Sequence, residues 1–381
     1  MKPKPLNRPI WTRPFKFLVA LGIVGVVLII WRFAAGLGAT TAMSDGYPWG
    51  IWIAFDVVTG TALACGGYAV AILCYVFNKG KYHPLIRPAI LTSALGYSIA
   101  GFSVLLDLGR PWNVWKVPAF VTSWNLNSAL LEVALCIMAY NVVLFIELSP
   151  AILEKWPNAK LPRIALPILN KSMVWIAALG ILLPTMHQSS LGALMQLTGP
   201  KLHGLWSSPF LPFFFLMTCL AMGAAAVVFE ASFSFLAFKT NPDVPLLAKL
   251  MRLASWGTFI FVLLRFADLA RMGKLGLVAK LDVYGIVFWI ETVLFIAPFI
   301  MTFGSKDLGS LFRAAMVLMF VGGLYRFDTF LVAYDPGPGW HYFPSVQEMF
   351  ITLGLVAIEV AIYAAVVKTF PILSGRAEEA L

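Results

Sequence analysis

PWGIWIAFDVVTGTALACGGYAVAILCYVF, residues 48–77, carries a single carboxylate, Asp56, in a run of otherwise uncharged and mostly apolar residues. At 1.5 Å rise per residue the run is long enough to cross a hydrocarbon core of ~30 Å as a helix. Comparable runs recur along the whole 381-residue chain, which is 60% hydrophobic and only 12% charged, with a mean hydropathy of +0.85. A soluble domain keeps nearer ~25% charged residues. The expected class is therefore an all-α integral membrane protein. Ten spans are expected, at about 17–36, 51–77, 85–106, 125–147, 166–186, 209–238, 246–267, 282–303, 308–333 and 346–370. The helical period excludes a β-barrel, which alternates polar and apolar residues.

The N-terminal MKPKPLNRPIWTRPFKF is basic and leads into an apolar run too long for a signal peptide, so a retained first helix is expected. The net charge of +10 suggests nucleic acid until the charges are placed. With the N-terminus in the cytoplasm, inner loops and tails hold 19 of the 28 Lys and Arg, including Lys306 and Arg376, and the other side and its flanks hold nine. This positive-inside asymmetry predicts both termini in the cytoplasm and no role for nucleic acid. The four cysteines, Cys65, Cys74, Cys136 and Cys219, lie in apolar spans without a C-x-x-C and read as small core residues.

Orientation gives each acid a depth. Asp56 lies one to two turns below the outer surface. Asp107 and Arg110, in LLDLGRPWN, sit where the third helix leaves at that face, Glu132 about two turns down the fourth, and His187 and Gln188 where the fifth exits outward. RFADLAR, residues 265–271, echoes the D-L-x-R of Asp107 and Arg110. Glu291 follows Asp268 by 23 residues and Glu132 follows Asp107 by 25. Two related four-helix bundles with flanking helices are expected: a tail at 1–16, a first helix and loop at 17–50, bundles at 51–208 and 209–344, and a last helix and tail at 345–381.

An ionisable group inside a membrane costs at least ~2.5–3.5 kcal/mol on insertion scales and usually marks a functional path. The alternative is structural pairing, of Asp107 with Arg110 and of Asp268 with Arg265 or Arg271. Asp56 and Glu132 have no cation nearby in sequence and are the expected proton-exchanging groups. Glu147, Glu230, Glu291 and Glu359 extend a polar route inward. Haem b needs paired imidazoles at matched depth, and the four histidines do not offer them: His83 is in an inner loop, while His187, His203 and His341 are at or beyond the outer surface.

PWGIWIAFDVVTGTALACGG, KYHPLIRPAILTSALGY, DLGRPWN, LLPTMHQSSLG, VFWIE and YFPS together resemble the NrfD/PsrC-like family of quinone-interacting membrane subunits, in its HybB-like branch, which serves periplasm-facing respiratory nickel–iron hydrogenases. The resemblance covers nearly the whole chain. It implies a multi-pass subunit of the bacterial inner membrane with no cofactor bound covalently or by metal ligation, and with ubiquinone or menaquinone as substrate. The implied partners are a periplasmic four-cluster ferredoxin-like subunit and the hydrogenase small and large subunits. Electrons from hydrogen would pass through the clusters to the quinone, with protons reaching it through this subunit. Asp56 would then meet the quinone headgroup as hydrogen-bond partner or proton donor, Arg110 would stabilise negative charge on the reduced ring, and His187 and Gln188 would bind the second carbonyl. Asp107 would belong to the same site. Trp49, Trp52 and Trp112 either line the ring or belong to the interfacial aromatic belt. Another periplasmic oxidoreductase, acting on polysulfide, nitrite or similar, is the alternative partner. A secondary transporter is the competing class, though the spans show no paired Gly/Pro-broken helices at mid-depth.

Overall fold

The computed structural model describes residues 3, 5–280, 282–304 and 307–373, so Lys306 and Arg376 lie outside the described residues. Among the described residues ten helices are long and apolar enough to cross a membrane: α1 (Arg13–Ala35), α2 (Trp52–Val76), α3 (Gly80–Asp107), α4 (Ala129–Leu153), α5 (Lys160–Gln196), α6 (Leu211–Phe238), α7 (Val244–Arg271), α8 (Val283–Thr302), α9 (Leu308–Val332) and α10 (Val346–Thr369). Asn7 N–H donates to the Lys368 carbonyl at 3.1 Å and Lys368 Nζ to that of Pro9, so the N-terminal segment and the end of α10 share one end, here called the tail face.

Local chemistry sets the helix starts. The side chains of Ser128, Asp243, Asp282 and Asp307 accept from backbone N–H groups in the first turns of α4, α7, α8 and α9. Ser345 and Glu348 form a reciprocal capping box at α10. The expected boundary fails most at α5, which runs 37 residues, about 55 Å at 1.5 Å per residue. It continues ten residues beyond the expected outer end at 186, and His187 and Gln188 are thereby fully buried rather than surface residues.

α2 packs on α3, α3 on α4 and α4 on α5, while α6 to α9 pack in sequence with α9 returning to α6. α2 also touches α6 and α9, so one interior runs through both halves. α1 lies against α10, and α10 against α3 and α2. At the α1–α10 crossing a Cβ on Gly25 would stand 2.8 Å from the Cα of Gly354, so only glycine permits that approach.

α2 and α6 are the most buried spans, and α2 is irregular. Its first eight residues, Trp52–Thr59, form a π-helix, and the helix is interrupted at Ala64–Cys65, before Gly66 and Gly67. This is a single interruption, whereas the expectation concerned paired broken helices. α6 presses on the interruption: a Cβ on Gly223 would stand 2.4 Å from the Cys65 carbonyl oxygen.

Candidate functional site

Two hydroxyls bond back onto carbonyls of the π-helix. Thr59 Oγ1 donates to the carbonyl of Ala54 at 3.0 Å, and Thr61 Oγ1 to that of Val57 at 2.5 Å. Widened helix turns are rare and tend to occur at functional sites. Here they aim neighbouring polar side chains at different helices.

Asp56 points toward α3 and α10. It is 3% exposed, and its Oδ2 accepts from Thr352 Oγ1 at 3.0 Å and Ser103 Oγ at 3.4 Å. Among the described residues it has no ion-pair partner. Trp52, fully buried one turn above, donates its Nε1 to the Glu348 carbonyl at 3.4 Å and packs with Leu106, Ile351 and Leu355.

Thr61 points toward α5. Gln188 Nε2 donates to its Oγ1 at 3.0 Å, and His187 Nε2 lies 3.2 Å from the same oxygen. The single hydroxyl proton is committed to Val57, so His187 Nε2 carries hydrogen and Nδ1 is a bare acceptor. That Nδ1 and Gln188 Oε1 are both buried without a hydrogen-bond partner. Two adjacent bare acceptors call for a donor, such as a hydroxyl or a water. Close by, Arg326 of α9 is wholly buried and donates to the carbonyls of Phe215 at 2.7 Å and Val58 at 3.3 Å, with its Nε unpartnered.

Asp107 and Arg110 do not pair. α3 ends at Asp107 with Leu108 extended, and Arg110 is carried out to an exposed position. Instead the buried Arg32 of α1 donates to the carbonyls of Leu106 at 2.7 Å and Leu108 at 2.6 Å, a cation at a helix C-terminus as the dipole favours. Asp107 lies within electrostatic reach of Arg32 and Glu348. Glu348 accepts from Tyr342 OH at 2.8 Å and the N–H groups of Ala42 and Ser345. Tyr342 in turn receives Ile51 N–H at 2.7 Å, which fixes the start of α2. Burial, and then the Glu348 carboxylate, push the Tyr342 phenol above its ordinary range. Trp49 donates to the Phe330 carbonyl at 3.1 Å, and Trp112 is 68% exposed.

The remaining acids separate. Glu132 stands in the first turn of α4, not two turns down. Glu147 lines a cavity of about 220 Å³ with Tyr75, His83 and Gly180. Glu291 is wholly buried in an ion pair with Arg265 at 2.6 Å and receives Trp206 Nε1 at 3.1 Å. Asp328, on the π-turn that ends α9, is close to that pair. Asp268 pairs with Arg271 at 2.8 Å and accepts from Ser208 at 2.6 Å, so the two D-L-x-R motifs do not form the same contacts. Glu230 accepts from Thr92 at 3.0 Å and from Tyr363. Glu359 packs against Gly96, where a Cβ would come within 3.4 Å of its Oε1. Sequence reasoning missed Thr61, Ser103, Arg326, Asp328, Thr352 and Tyr363. A threonine or serine in a membrane helix gives no signal alone, whereas Arg326 and Asp328, charges in an apolar run, were visible.

A multi-pass helical protein with carboxyls buried between its spans is the class that these features define. The chain belongs to the family described as Polysulphide reductase, NrfD, whose profile matches residues 39–332. It is 41% identical, over 97% of its length and 95% of the relative's, to the Probable Ni/Fe-hydrogenase 2 b-type cytochrome subunit of Escherichia coli (strain K12). A Menaquinone reductase, integral membrane subunit, of Nitratidesulfovibrio vulgaris is 34% identical over 42% of this chain and 38% of its own. A selenate reductase subunit of Mesobacillus selenatarsenatis is 24% identical over 96% and 95%. The chain is thus a polytopic membrane subunit of a respiratory oxidoreductase.

One of these names corrects an expectation. A b-type cytochrome implies haem, which contradicts the reading that a chain of this kind has no cofactor by metal ligation. The donor set of this chain does not match a bis-histidine haem. His187 is the one histidine deep within a span, with Nε2 engaged by Thr61. His83 lies exposed in the first turn of α3 at the tail face, and His203 and His341 lie outside the spans. Among the described residues, no three His, Cys, Asp or Glu side chains converge as metal ligands.

Proposed function

We propose that the chain binds quinone near the face opposite the tails and passes it electrons from an iron–sulfur partner, as the membrane subunit of an uptake nickel–iron hydrogenase. The partners are a four-cluster ferredoxin-like subunit and the hydrogenase small and large subunits. Both termini lie in the cytoplasm, by the Lys/Arg asymmetry. The observation that carries the reading is Asp56, a buried carboxyl on a π-turn with two hydroxyl partners and no cation.

Quinone reduction takes up two electrons and two protons, and a carboxyl held in its acid form donates one of the protons. His187 Nδ1 and Gln188 Oε1 accept from a quinol hydroxyl, positioned by Thr61. In this reading Trp52, one turn before Asp56, and Asp107, one turn beyond Ser103, border the site, while the exposed Arg110 and the half-buried Glu132 stand at its rim. The site lies in a first bundle, 51–208, and α6 to α9 form the second, 209–344. The end-to-end likeness to a hydrogenase subunit supports the hydrogenase as partner, and the partial likeness to a menaquinone reductase subunit supports the quinone.

A second reading, secondary transport, gains from the interruption of α2 at Ala64–Cys65. Hydrogen-dependent reduction of an added quinone by the purified complex, blocked by a headgroup analogue, tests the first reading. Electron flow indifferent to the analogue would overturn it.

A further inference from the structure

The four cysteines are buried and free, and two of them meet. Cys65 stands at the interruption of α2, and Cys219 lies on α6 one turn before Gly223, on the same helix face. An added Cβ on Gly223 would reach the Cys65 carbonyl, and one on Gly66 would stand 3.4 Å from the Gly223 carbonyl, so the two backbones touch here. The side chains of Cys65 and Cys219 accordingly interact with each other, and both are fully buried in one apolar cluster. A disulfide needs Cα atoms about 4.4–6.8 Å apart, and a backbone crossing this close is where two helices offer it. The other two thiols lie elsewhere: Cys74 near the tail face, 3.9 Å from the Lys79 carbonyl, and Cys136 on α4.

The surroundings are those of a reactive pair rather than of two small core residues. The Tyr97 hydroxyl lies 3.7 Å from Cys65 Sγ. The Tyr97 ring packs edge to face on His187, with centroids 5.6 Å apart, and its hydroxyl also engages Gln188. Thr61, which holds His187 and Gln188, is four residues before Cys65 on α2. The thiols therefore adjoin the two bare acceptors, His187 Nδ1 and Gln188 Oε1. On the other side, Arg326 is within electrostatic reach of both sulfurs. It forms no ion pair among the described residues. Its hydrogen bonds go to the carbonyls of Phe215 and Val58 and to the Thr218 hydroxyl. A buried guanidinium keeps its charge, and here thiols and phenols surround it rather than a carboxylate. A cation beside a thiol is the setting in which sulfur becomes nucleophilic.

We propose that Cys65 and Cys219 form a redox-active dithiol, which an oxidised quinone converts into a disulfide that ties α2 to α6. This rests on the quinone reading above, since the quinone is the oxidant. Two S–H bonds break and one S–S bond forms. The two electrons and two protons released pass to the quinone, which leaves as quinol, and the reverse step with quinol as reductant restores the thiols. Closure takes away the thiol that meets the Tyr97 hydroxyl and pins the interruption of α2. Because Tyr97 packs on His187, the acceptor pair shifts and the site holds quinone less tightly. The pair thus carries the oxidation state of the quinone back to the site that binds it.

The test uses the intact wild-type complex in proteoliposomes. It is reduced with hydrogen, freed of hydrogen and exposed to a soluble quinone analogue. Free thiols are then alkylated in denaturant, and the peptides are read by mass spectrometry without reduction. The peptides of Cys65 and Cys219 should be found linked, with Cys74 and Cys136 alkylated, and a redox-inert headgroup analogue added with the quinone should suppress the link. The linked complex should show a KM for quinone raised about 3-fold or more, the size of one lost hydrogen bond. Its rate with an artificial dye, which takes electrons before the membrane subunit, should be unchanged, and a thiol reductant should restore the KM. Cys219→Ala leaves the contact of Cys65 with Tyr97 in place and should keep the low KM after quinone exposure. Free Cys65 and Cys219 after quinone exposure would overturn the proposal, and hydrogen-to-quinone activity in the same preparation would leave the quinone reading intact. A link that forms equally with the headgroup analogue present would remove quinone as the oxidant and overturn it likewise. A linked complex with an unchanged KM would overturn the feedback on the site. A preparation that reduces dye but no quinone overturns the quinone reading itself, and with it the oxidant named here.

Discussion

Thr352 on α10 donates a 3.0 Å hydrogen bond to the Asp56 carboxylate on α2, across 296 residues of sequence. The last span thus forms part of the environment of an acid in the second. A hydrogen bond to a charged or ionisable partner is worth about 1.5–3 kcal/mol. Thr352→Val removes the donor at nearly constant volume. We predict about a 10-fold loss of hydrogen-to-quinone activity at unchanged dye activity, with Thr352→Ser close to wild type. An unaltered quinone-to-dye ratio in Thr352→Val would show that the bond does not serve the site.

Asp56 itself gives the sharpest test. Asp56→Asn keeps the volume and can still meet the Ser103 and Thr352 hydroxyls, but it cannot exchange a proton. Quinone reduction should fall by ~10²-fold or more, the usual size of a general-acid contribution, while dye reduction persists and Asp56→Glu recovers part of the rate. If Asn is silent in both assays, the proton-donor role is abandoned.

In the second half the Arg265–Glu291 pair is buried on both sides, with side-chain exposures of 5% and 0%. Removing one partner of such a pair leaves an uncompensated charge and costs about 3–5 kcal/mol. Glu291→Gln should therefore lower the temperature of half-inactivation of the assembled complex, whichever acceptor is used. The double variant Arg265→Met/Glu291→Leu should recover most of the loss. A Glu291→Gln complex as heat-stable as wild type would rule out a structural role for the pair.

Gly223 stands where α6 meets the interruption of α2. Gly223→Ala forces the two backbones apart, an overpacking cost of about 1–3 kcal/mol. Lower thermal stability is expected, whereas Gly257→Ala, at a position with nothing within 4 Å of the added carbon, should be neutral or better. Equal stability of the two variants would mean that the crossing yields without strain.

The orientation is tested separately. A reporter that is active only outside the cytoplasm, fused to the C-terminus, should give no signal, because ten spans with a basic N-terminal tail return the chain to the cytoplasm. A strong signal would reverse the depth of every residue in the proposed site.

The ten spans were legible because length and apolar content alone decide membrane crossing, and all ten are present within a few residues at most ends. The outer end of α5 was not, because SSLGALMQ carries no charge or proline to mark it as inside or outside the membrane, and its one glycine, Gly192, sits within the helix. That error moved His187 from the interior to the surface. Asp107 and Arg110 misled in another way: proximity in sequence suggested a pair, but the helix ends between them and the cation that reaches Asp107 comes from α1. Asp56 and Glu359 were visible as isolated acids in apolar runs. Their shared face was not, because it depends on which helices touch, and no local pattern states that α10 lies on α3.

The glycine contact between α1 and α10, at Gly25 and Gly354, has a consequence for how the molecule is made. Helix α1, made long before α10, is its seat. Until α10 arrives, Asp56 has no Thr352 beside it, and Glu230 has no Tyr363. A chain broken off in the loop before α10 would insert nine spans and still leave these acids facing lipid or water. Translation order thus keeps this part of the interior open until α10 has been made.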